Sequence, residues 1–145
     1  MEALLMATTQ TNKELFLRVF DALNERDFDA FADTHADNVV LHDHDEEFHG
    51  VDAATEHEQT LYEAFPDLKY TPEDILADEE LVAARWRVTG THEGELEGIA
   101  PTGEDVEFPA CGILRVEDEK IAEVWLIYDQ LGLMQQLGVV EPPGE

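Results

Sequence analysis

The chain has 145 residues, 43% of them hydrophobic, with 35 Asp and Glu against 8 Lys and Arg. That length fits one domain, which buries roughly 68–70% of the surface its unfolded chain exposes, so a core can form without disulfide staples. The formal charge of −27 repels phosphate backbones and anionic lipid, which argues against nucleic acid and membrane surfaces as partners.

The acids are spread along the whole chain and alternate with apolar residues, which argues for folding rather than disorder. Such a surface repels itself in dilute buffer, whereas in molar salt the Debye length falls to about 3 Å. The expected setting is the cytoplasm of a salt-accumulating halophile. The N-terminal "MEALLMATTQ" has an acid at position 2 and an apolar run too short for a secretory signal or a membrane span. The single cysteine, Cys111, allows neither an internal bridge nor a cysteine zinc cluster. Its mid-strand position reads as that of a small buried residue.

In chain order, residues 1–10 are expected to be loose. "TNKE", Thr11 to Glu14, reads as a capping box. Leu15, Phe16, Val19, Phe20 and Leu23 then share one helical face, and Phe16 and Phe20 are expected to line an internal cavity. Asp27 is expected to cap a short helix containing Phe28 and Phe31. "NVVLHDH" predicts a strand. "GVDAATEHEQTLYEAFPD" predicts a third helix, with Ala54, His57, Leu61 and Phe65 near one face and Pro66 as its stop. Strands follow: "LKYTPEDILA", with Pro72 marking an edge or a bulge, then "LVAARWRVTGTH", "DVEFPACGILRV" and "IAEVWLIYD", the last two joined by an "EDEK" hairpin. Asp129 then meets a short C-terminal helix. Helices first and a strand meander afterwards predict an α+β domain over residues 11–140, with helices on one face of a curved, mainly antiparallel sheet and a loose tail at 141–145.

"VVLHDH", "AFPDLKY", "GTHEGELEGIAPTGEDVEF" and "GILRVEDEKIAEVWLIYDQLGLMQQLG" occur in the order seen in SnoaL-like polyketide cyclases. The chain resembles that family from about Lys13 to Gly138. The resemblance implies the cone-shaped, cystatin-like fold of the nuclear transport factor 2-like superfamily. It also implies ring closure of a carbonyl compound by intramolecular aldol condensation, with no metal or organic cofactor. In the family an acid at the position matching Asp129 is the general acid/base. His92 in "GTHEG" and His42 in "VVLHD" match motifs that line the pocket.

Strand alternation puts Trp125, Ile127 and Asp129 on one face and Val124, Leu126 and Tyr128 on the other. If the first set faces the cone, Trp125 and Ile127 line a pocket and Asp129 lies beside an apolar wall. Burial there would raise its pKa and make it serve both as base and as acid. Equally, Asp is a good N-cap for the helix that begins at Gln130. The two roles are compatible, and both stay open. In "ARWRVTGTH", Trp86, Val88 and His92 share parity, so Trp86 is expected in the pocket and Arg85 and Arg87 outside. His92 is a candidate donor to a substrate oxyanion. "LHDHDEEFH" is rich in ligand-type residues, but it is no more acidic than the rest of the surface and has no distant partner motif, so no metal is expected. His35 and His57 read as helix-face residues without a special claim.

The leading expectation is therefore a small cofactor-independent enzyme acting on a hydrophobic or carbonyl-containing small molecule, by aldol-type cyclisation, isomerisation or a related lyase or hydrolase step. The alternative is a non-catalytic binding or dimerisation module of the same fold. A homodimer is expected in either case, through an outer sheet face bearing Leu126 and Tyr128.

Overall fold

The computed structural model describes residues 2–141. No Gly or Pro interrupts residues 2–24, and helix α1 runs through them, Glu2–Asn24. It takes in the segment expected to be loose, and Thr11–Glu14 lies inside it rather than at its start. Arg26 ends the run with a left-handed φ of 57°, and the Asp27 amide returns to the Ala22 carbonyl at 2.8 Å. Asp27 then caps α2 (Phe28–Asp33), accepting from the Ala30 amide at 3.0 Å.

Strands β1 (His35–Asp43) and β2 (Glu46–His49) form a hairpin. Helix α3 (Val51–Ala64) follows and stops at Phe65, directly before Pro66. Then come β3 (Lys69–Ala77), β4 (Leu81–Thr91), β5 (Asp105–Glu117), β6 (Lys120–Tyr128) and α4 (Gln130–Gln136). The six strands form one mixed sheet in the order β2-β1-β6-β5-β4-β3. β1 runs parallel to β6, and every other pairing is antiparallel. β3 is an edge strand with a register shift between Pro72 and Asp74, where a residue without an amide proton is tolerated.

The helices cover one face of the sheet. α1 packs on β3 and β4, α3 packs on β1 and β2, and α2 lies between α1 and α3. Asn24 ties α1 to β3 by accepting from the Tyr70 amide and donating to the Tyr70 carbonyl, both at 2.8 Å. Alternation on β4 sends Val82, Ala84, Trp86 and Val88 inward. Arg85 goes outward to Glu73 and Asp74, and Arg87 to Glu107. On β5 the same rule turns Ala110 and Leu114 inward and Cys111 outward. The cysteine is exposed, not buried as expected. Among the described residues no helix is long and apolar enough to cross a membrane.

Candidate functional site

The sheet and helices enclose a cavity of about 240 Å³. Phe16 and Phe20 stack on each other at 4.8 Å, and each meets the Trp86 ring edge-on, at 5.8 and 5.3 Å. All three line the cavity, where the sequence pattern put them. The indole Nε1 of Trp86 is buried without a hydrogen-bond partner among the described residues, a burial that costs about 1–3 kcal/mol.

β6 reverses the expected parity. Val124, Leu126 and Tyr128 line the cavity, and Tyr128 packs on Phe108 at 5.6 Å. Trp125 and Ile127 lie on the outer face, 38% and 62% exposed. The reason is that β6 is apolar on both faces, so alternation defines two sets without saying which is inside. His42 is also outside the cavity: its ring stacks on Trp125 at 5.4 Å and bonds Glu123 at 2.6 Å. β1 instead sends Val39, Leu41 and Asp43 inward.

Asp129 is exposed and does not line the cavity. Its Oδ1 accepts from the Gly132 amide at 2.8 Å, which caps α4. A Cβ at position 132 would lie 2.2 Å from Asp129 Oδ2, so the glycine is what lets the carboxylate sit over the helix end. α4 in turn supplies Gln130, Leu133 and Met134 to the cavity wall.

His92 is fully buried but also lies outside the cavity. The Thr102 amide donates to Nδ1 at 3.2 Å, which assigns the ring proton to Nε2. Among the described residues Nε2 finds no acceptor. The backbone of His92 bonds Gly103 and Glu104 at 2.8 and 2.9 Å. The residue fastens the 92–104 loop, which carries Leu96 and Glu97 to the cavity.

A cluster of the polar groups that do face the cavity comes from β1, the turn after it, and α3. His57 on α3 shares a 2.9 Å hydrogen bond between its Nε2 and Asp43 Oδ2. Its ring stacks on Phe48 at 4.4 Å. His44, with a left-handed φ of 57°, reaches back to Asp43 Oδ1 at 2.7 Å. Burial alone would raise the Asp43 carboxyl, but the hydrogen bonds from His57 and His44 outweigh it and hold the group below its usual range. Burial alone would lower His57. The bond to Asp43 and the negative fields of Asp43 and Glu46, joined by that of Glu58 whenever its carboxyl is ionised, raise it above its usual value instead. The two groups titrate as a coupled pair.

Deeper in the same wall, Glu58 lines the cavity and accepts from the Tyr70 hydroxyl at 3.1 Å. His35, expected on a helix, begins β1 and is buried at the cavity, with Nδ1 2.8 Å from the Phe31 carbonyl. Burial lowers its pKa to about 4. Tyr128 is pushed up to about 12 by burial, so its hydroxyl stays protonated. Among the described residues no Lys or Arg lines the cavity.

The family model for SnoaL-like polyketide cyclases matches residues 13–137. The chain belongs to the SnoaL-like polyketide cyclase family. Among solved structures, AclR of Streptomyces galilaeus, a candidate hydroxylase, is 31% identical with a TM-score of 0.81, over 92% of this chain and 84% of AclR. A candidate SnoaL-like polyketide cyclase from Jannaschia is 25% identical with a TM-score of 0.85, over 93% and 95% of the two chains. IdmH of Streptomyces antibioticus, a candidate polyketide cyclase, is 29% identical with a TM-score of 0.76, over 87% and 97%. No curated protein matches the chain in sequence.

In this SnoaL-like chain, sequence reasoning missed Asp43, His57 and Glu58. A signal was present for Asp43 and for Glu58. Asp43 continues the alternating set Val39, Leu41. Glu58 falls four residues after Ala54 and four before Tyr62, inside an apolar helical stripe.

Proposed function

We propose that this protein moves protons on a small, mainly apolar carbonyl compound bound in the cavity, with the Asp43–His57 pair as general base and acid. Cyclisation by aldol closure, isomerisation through an enol and lyase steps by β-elimination all begin with loss of a proton next to a carbonyl, whereas in a hydrolase step the same base would take its proton from water. One observation carries the reading: a carboxylate and an imidazole 2.9 Å apart on the wall of a mainly apolar cavity. The base-competent form, carboxylate with neutral imidazole, grows in as pH rises through the raised pKa of His57. Asp129 would have to release the Gly132 amide and turn from solvent before it could serve the same purpose.

The test uses α-tetralone, an apolar aromatic ketone, in D2O, with exchange of its α-hydrogens followed by NMR. Wild type is expected to exchange them, and Asp43→Asn and His57→Gln are expected not to. Binding without exchange in wild type would make the protein a non-catalytic binding module.

The outer face bearing Trp125, Ile127 and Ile113, all exposed, is the surface on which we propose a homodimer. Ile127→Asp should then yield monomers in analytical ultracentrifugation. For the charge of −27 we propose a high-salt cytoplasmic setting, to be read from the dependence of stability on KCl. Undiminished stability at low ionic strength would contradict it.

A further inference from the structure

Glu58 is 8% exposed on the inward face of α3, between Ala54 and Tyr62, and it lines the cavity. Among the described residues, its one side-chain hydrogen bond comes from the Tyr70 hydroxyl to Oε2. Oε1 accepts none, yet it is not among the sealed, unpartnered buried atoms. No Lys or Arg pairs with Glu58 among the described residues. The charged groups that bear on it are His57, which favours the carboxylate, and Asp43, which opposes it. The neighbouring Tyr62 hydroxyl is committed to the Leu23 carbonyl at 2.6 Å.

A buried carboxylate with one hydroxyl for company is poorly compensated, whereas the neutral acid loses far less on leaving water. Burial pushes the Glu58 carboxyl up, and the opposing effects of His57 and the Tyr70 bond are smaller. A neutral carboxyl also changes hydrogen-bonding capacity. With Oε2 accepting from Tyr70, the proton belongs on Oε1 and makes it a donor.

We propose that Glu58 is the proton donor of this site: a neutral carboxylic acid, held by Tyr70, whose Oε1–H bonds the carbonyl oxygen of a neutral ketone or ester. The proposal rests on the reading of Asp43–His57 as the base. His57 and Glu58 are successive residues, about 100° apart around α3. The two functions therefore open on neighbouring sectors of one wall, as an α-hydrogen and its carbonyl oxygen are neighbours in a ketone. In the forward step His57 takes the α-hydrogen as a proton, and the C–H electron pair becomes the new C=C bond. The C=O π pair moves to oxygen, which takes the proton of Glu58. The products are an enol, an imidazolium and the Glu58 carboxylate. Return of both protons restores the protein. In an aldol closure the enol returns its proton to the Glu58 carboxylate as its C=C pair attacks the second carbonyl carbon, whose π pair moves to oxygen. That alkoxide then takes the Glu58 proton, and transfer of the imidazolium proton to Glu58 restores the protein.

The experiment has two parts, both on the full chain. With 13C-carboxyl glutamate incorporated, the free protein at pH 7 should show one protonated carboxyl in its infrared spectrum, lost in Glu58→Gln. An ionised Glu58 at pH 7 overturns the proposal, whether or not any ketone turns over. For α-tetralone exchange, Glu58→Gln should lower kcat roughly 10²-fold, within the range for loss of a general acid, with KM changed little. It should also abolish the fall in rate at alkaline pH that wild type shows as Glu58 ionises. Persistence of that alkaline limb in Glu58→Gln overturns the proposal. If Glu58→Gln misfolds, Tyr70→Phe, which removes the donor to Oε2, should shift the alkaline limb to higher pH. An unmoved limb counts against the assignment. The two readings fail separately: Asp43→Asn and His57→Gln with wild-type exchange remove the pair as base, while wild-type exchange by Glu58→Gln removes Glu58 as acid.

Discussion

Asp43 and Asp129 stand at the same end of two parallel neighbours, β1 and β6, and their surroundings give them opposite properties. Asp129 lies outside, its Oδ1 held by a backbone amide that a glycine brings close. Asp43 lies at the cavity, each oxygen held by an imidazole. An amide partner has no titration in the physiological range, so the Asp129 bond caps α4 without storing a proton. An imidazole partner does titrate there, so the Asp43 bond can store and release a proton. What a strand-end carboxylate can do is decided by the type of donor facing it.

The sharpest way to break this contrast is to neutralise each acid in turn. Asp43→Asn is expected to cut ketone exchange by about 10²–10⁴-fold, and His57→Gln comparably. Asp129→Asn, which keeps a good cap, should leave the rate within a few-fold of wild type. The opposite ranking in steady-state kinetics would return the catalytic role to Asp129.

A second effect concerns His35 at the cavity side. Its pKa falls from 6.5 to about 4 on folding, so below pH 6.5 the unfolded chain binds the extra proton and stability drops as pH falls. The full effect between pH 6.5 and about 4 corresponds to about 3 kcal/mol. Urea denaturation should show the stability gap between wild type and His35→Gln closing over that interval. A gap independent of pH would contradict a buried neutral imidazole.

A third and smaller effect belongs to the junction side. Asp129→Ala removes the cap and is expected to cost about 0.5–2 kcal/mol, or roughly 2–4 °C in Tm per kcal/mol for a chain of this size. Asp129→Asn should recover most of that loss in a thermal melt. Equal loss in both variants would mean that the charge, not the cap, matters at this position.

Features set by neighbours along the chain were legible in the sequence. The inward face of α1, the Asp27 cap, the stop at Pro66 and the turn between β5 and β6 all follow from local pattern. So did the family, through the motifs around His92 and Asp129, and the cavity positions of Phe16, Phe20 and Trp86. Features set by the third dimension were not. Alternation on β6 is equally consistent with either face inward, because Trp125 and Ile127 are as apolar as Val124 and Leu126. The parallel pairing of β1 with β6 joins residues far apart in the chain, as His42 and Trp125 show, and no local pattern encodes it. His57 and Asp43 become a pair only when α3 folds onto β1.

The wall without Lys or Arg has a consequence for what can enter. Any compound carrying a carboxylate or phosphate would surrender its water to a chamber ringed by Asp43, Asp45, Glu46 and Glu97 and find, among the described residues, no Lys or Arg in return, only imidazoles of which His44 and His57 are already bonded to Asp43. The uncompensated burial of an ion costs several kcal/mol. Molar salt quiets the distant field of the protein but not contacts shorter than about 3 Å. Its carboxylates make the chamber a costlier place for an anion than for the same molecule in neutral form.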